Sequence, residues 1–121
     1  MDEQEHVSPD GQLRLLVIEP DGDLTIGFDG CPAHTHGSIL AERYDCDEET
    51  AASRFVLGIL ESKLIIAVLR TAGIMTDAYV LEANWETVED VVNSFARYGE
   101  SNETVELRLW DGTQLKMLSV A

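Results

Sequence analysis

The stretch Leu13-Arg14-Leu15-Leu16-Val17-Ile18-Glu19-Pro20-Asp21-Gly22-Asp23-Leu24-Thr25-Ile26-Gly27-Phe28 decides the fold class. A compact Leu/Val/Ile run meets Pro-Asp-Gly-Asp, where Pro presets φ and Gly accepts a positive φ. After that turn Leu24, Ile26 and Phe28 alternate with Thr25, Gly27 and Asp29, the period of a half-buried strand. The two runs predict an antiparallel hairpin.

Downstream, Asp45 to Glu49 supplies caps and acids for a helix start, and Ala52, Phe55, Val56, Ile59 and Leu60 fall on one face. That helix is expected to end near Ser62. Leu64 to Leu69 is apolar on both faces, which suits a central strand. Ile74 to Glu82 reads as a weaker strand. Asn84 or Thr87 caps a second helix with a Val88, Val91, Val92, Phe95 stripe, and Gly99 stands where a left-handed C-cap belongs. Thr104 to Trp110 and Leu115 to Val120 flank Asp111-Gly112, and a three-residue loop would place Leu107 opposite Met117. Ser38 to Tyr44 has no clear period. The expected fold is α+β, order ββαββαββ, a mainly antiparallel sheet with two helices packed on one face. Residues 1–11 are polar and acidic and read as a disordered lead-in; residues 12–121 read as one domain.

The charge is the first clue to function. With 23 acids against 8 basic residues the chain carries −15, whereas small domains usually hold about 2–8 charges of either sign. Such a field disfavours nucleic acid and anionic membranes, whose binding needs Lys and Arg. It favours a basic protein partner, although solubility alone accounts for it as well. The acidic N-terminus is unlike a secretory signal, and Cys31 and Cys46 are most simply reduced thiols, so a cytoplasmic location is expected.

The second clue is the loop Gly30 to Gly37, Gly-Cys-Pro-Ala-His-Thr-His-Gly. Asp29, Cys31, His34 and His36 are all metal-ligating types within eight positions, so zinc is the alternative to a cofactor-free protein. No second half-motif of familiar spacing accompanies them. The same residues also suit a structural loop, with the histidines bonded to carbonyls or acids, or a contact surface. A histidine acting as general base in a small hydrolase completes the alternatives. No nucleophile elbow or phosphate loop is present, so a non-enzymatic binder is the favoured reading. Its expected binding residues are Asp29, His34, His36 and Trp110; Trp110 and Trp85 suit either interface anchors or the edge of a core.

Phe28-Asp29-Gly30 through His34-Thr35-His36-Gly37, and Arg108-Leu109-Trp110-Asp111-Gly112, resemble segments of small uncharacterised bacterial proteins. Some proteins of this kind are similar to immunity proteins of polymorphic toxin systems. That resemblance implies an acidic binder that blocks a basic toxin by covering its active-site surface. It assigns no individual residue a role.

Overall fold

A computed structural model describes residues 2–120. Met1 and Ala121, the outer ends of the expected lead-in and domain, lie outside the described residues. The fold is α+β, with two antiparallel four-stranded sheets and three helices.

The first sheet has the order β1 (Gln4–Val7), β2 (Arg14–Ile18), β3 (Thr25–Phe28), β4 (His34–His36). The hairpin expected from Leu13 to Phe28 is β2–β3, with Leu15 opposite Phe28 and Val17 opposite Ile26. Leu15, Val17, Ile26 and Phe28 point inward and are buried. Two strands were not expected. Gln4–Val7, part of the expected disordered lead-in, pairs with Arg14 to Val17 of β2. Backbone pairing holds it, since its residues are half-buried or exposed and carry little apolar signal. Within the supposed loop, His34–His36 pairs with Gly27 to Thr25.

The chain then forms α1 (Gly37–Tyr44) and α2 (Glu48–Leu60). Asp47 caps α2, accepting from the Thr50 N–H at 3.1 Å, and Ala51, Ala52, Phe55, Val56 and Ile59 are its buried face. The second sheet has the order β6 (Ile74–Val80), β5 (Ile66–Thr71), β7 (Glu103–Arg108), β8 (Gln114–Ser119). Helix α3 (Val88–Tyr98) begins with a capping box between Thr87 and Asp90.

The expected α+β fold with antiparallel pairing is the one observed; its strands divide into two sheets, and helices cover the second sheet from both sides. Ile66, Ala67 and Val68 are all fully buried, so β5 needs cover on both sides. On one side Ile66, Val68, Ala78 and Val80 join the first sheet, α1 and α2 in the main core. On the other, Ala67, Val105 and Leu107 pack with Val91 of α3. Two details differ further. Gly99 ends α3 at φ −67°, not in the left-handed region; glycine is needed because a Cβ there would lie 2.6 Å from the Phe95 carbonyl oxygen. In the last hairpin Leu107 faces Lys116 and Glu106 faces Met117, the register shifting between Leu107 and Arg108.

Candidate functional site

The outer face of the first sheet is where most of the loop residues singled out from the sequence arrive. Side chains alternate across a strand, so Glu5, Leu16, Gly27 and His34 form one row, in register across β1 to β4. Ile18, Thr25 and His36 form the next row. None of these belongs to the buried core beneath. Thr35, between the two histidines, points inward and is buried.

Both histidines are fixed by hydrogen bonds. His34 Nδ1 lies 2.9 Å from the Pro32 carbonyl oxygen; a carbonyl only accepts, so Nδ1 carries the proton and Nε2 faces outward. His36 Nδ1 lies 3.2 Å from the Asp23 carboxylate, to which it donates. The two rings meet edge to face with centroids 5.0 Å apart. Cys31 is half-buried, and its Sγ donates to the Asp29 carbonyl oxygen at 3.7 Å. Burial pushes the Cys31 thiol up, and Asp77 and Asp29 push it further. A raised thiol pKa works against a nucleophilic thiolate at this position.

Asp29, Cys31 and His34 share one depression on this face, while His36 lies outside it and turns to Asp23. Among the described residues, no three His, Cys, Asp or Glu side chains are grouped so as to hold a metal ion. What the face does show is exposed apolar side chains beside carboxylates: Ile18 is 37 % and Val7 52 % exposed, with the exposed Asp23 and Asp29 nearby. Between Arg14 and Arg43 the chain has no Lys or Arg at all. Arg14 itself is tied to Glu5 at 3.1 Å.

Trp110, expected as a binding residue, is corrected. It is 5 % exposed and belongs to the main core, so it presents no surface to a partner. The exposed tryptophan is Trp85, 58 % accessible and held at φ 57° with Arg43 over its ring at 5.4 Å. Its flanks, Glu82-Ala83-Asn84 and Glu86-Thr87, are mostly polar. Trp110 has the parity of Glu106 and Arg108, opposite to the apolar Val105, Leu107 and Leu109, so alternation alone does not mark it as core. No family model, curated protein or solved structure matches the chain significantly. No described helix is long and apolar enough to cross a membrane.

Proposed function

We propose that this chain is an acidic protein-binding domain that takes a basic protein onto the outer face of its first sheet. Two segments resemble small bacterial proteins, some of which are similar to immunity proteins of polymorphic toxin systems; that resemblance suggests a basic toxin as the partner and inhibition by steric cover as the mechanism. The observation that carries this reading is the composition of the face. Exposed apolar side chains lie between carboxylates, and a run of 28 positions, from residue 15 to residue 42, brings no Lys or Arg to it. Such a surface pairs apolar contact at its centre with a charged rim that attracts a cationic protein.

The test screens basic proteins encoded near the gene for binding and titrates the chain with any that binds. Ile18→Lys puts a cation into the face without touching the core. It should weaken binding by tenfold or more, about 1.4 kcal/mol. Ile74→Lys is a matched control on another surface, where residue 74 is 71 % exposed. Equal effects of the two substitutions would remove this face from the interface. Absence of binding to any basic protein encoded in the same gene cluster would remove the immunity reading.

A further inference from the structure

Gly27 leaves a socket on the outer face of the first sheet. A Cβ at residue 27 would stand 3.1 Å from both the Ala33 carbonyl oxygen and His34 Cβ. Strand β4 therefore packs close against residue 27, and a side chain there would press on Ala33 and His34. The missing side chain leaves a depression of about 240 Å³ between Leu16, Ile18 and Thr25 on one side and Cys31 and His34 on the other, with Asp29 at its rim. No Lys or Arg lines it.

Two carboxylates set its charge. Asp29 is exposed and makes no side-chain hydrogen bond or ion pair among the described residues. Asp23 and Glu5, by contrast, already hold His36 and Arg14. Asp77, on β6, accepts from the Ala33 N–H at 3.1 Å and the Ala78 N–H at 2.9 Å. Both Asp77 and Asp29 are felt at Cys31 inside the depression, where they add to the effect of burial.

Apolar walls ending at an uncommitted carboxylate suit a long side chain with an aliphatic stem and a cationic head. We propose that this depression is the socket for one arginine side chain of the basic partner. Its stem lies along Leu16 and Ile18, its guanidinium stacks on the His34 ring and meets Asp29 through two parallel N–H bonds. Arginine fits better than lysine because its planar fork matches both a ring face and a carboxylate. The His34 ring is held in place by its bond to Pro32. This inference rests on the binding reading above and names the partner group that the face selects.

The test uses N-acetyl-arginine amide, with the lysine and citrulline analogues as probes, followed by amide chemical shifts of the full chain. Arginine should shift Gly27, Cys31 and His34 saturably, lysine more weakly, and neutral citrulline not at all. Asp29→Asn should weaken arginine binding about fivefold, and Glu89→Gln, an equal charge change on α3, should leave it unchanged. Shifts spread over the acidic surface, or equal losses for the two variants, would overturn the socket. A basic protein that binds wild type and Asp29→Asn equally would overturn the socket while leaving the binding reading intact. Saturable arginine binding without any protein partner would do the opposite.

Discussion

The carboxylate of Asp10 accepts a 2.7 Å hydrogen bond from Nη1 of Arg108, 98 positions away in the chain. Arg108 is 1 % exposed, and its other donors reach the Leu109 and Trp110 carbonyl oxygens at 3.1 and 3.2 Å. Beside it Arg70 bonds Glu106 at 3.0 Å and Gln12 at 2.9 Å. Two arginines of the second sheet thus hold the β1–β2 connection of the first. Breaking the Asp10–Arg108 pair leaves a buried cation uncompensated, so Asp10→Ala should cost about 3 kcal/mol in urea unfolding. A loss below about 1 kcal/mol would show that the pair behaves like an exposed one.

The same pair gives a pH dependence. The Arg108 guanidinium holds Asp10 at about 2, against an ordinary 3.8. A carboxylate held low in the folded state stabilises it above its unfolded value and stops doing so as pH falls through the folded value. The stability gap between wild type and Asp10→Asn should therefore stay constant down to about pH 5, shrink below 3.8 and be almost gone near 2. A gap that persists at the acid end would mean that the charge of Asp10 is not what Arg108 needs.

Much of this arrangement was legible in the residues, and the exceptions have physical causes. The β2–β3 hairpin, α2 and α3 announce themselves because Leu15, Val17, Ile26 and Phe28 alternate and because Asp47 and Thr87 cap their helices. Strands β1 and β4 do not, because edge strands of four and three residues are held by backbone pairing and show only polar or alternating-polar side chains. Arg108 reads as a solvent-facing residue beside Glu106, yet a second layer covers that face. The His34–His36 segment is legible as unusual, but only the β3–β4 register shows that both rings face outward and that Gly27 leaves a hollow beside one of them.

The two tryptophans should behave oppositely. Trp110→Ala empties a core position and should cost about 3–5 kcal/mol. Trp85→Ala removes an exposed ring and should stay within about 0.5 kcal/mol. Comparable losses in thermal unfolding would contradict the burial assigned to each.

Self-repulsion at −15 should make the fold sensitive to salt. Raising ionic strength from about 0.01 to 0.15 M shortens the screening length from about 30 to 8 Å, and the melting temperature should rise. A melting temperature that falls would mean that ion pairs such as Arg70–Glu106 outweigh the repulsion of the unpaired acids.

His34→Ala and His36→Ala should leave stability within about 0.5 kcal/mol, because both side chains stand on the outer face of the sheet, while partner affinity falls by about 2 kcal/mol for a recognition residue. A large stability loss for both would make the segment scaffold.

The claim that this acidic face recruits a basic protein is tested most directly by the association rate of the two proteins against ionic strength. Opposite fields speed encounter, and screening removes that gain. The rate should fall at least about tenfold between 0.01 and 0.15 M salt, with the dissociation rate changing far less. An association rate that stays flat over that range would contradict it.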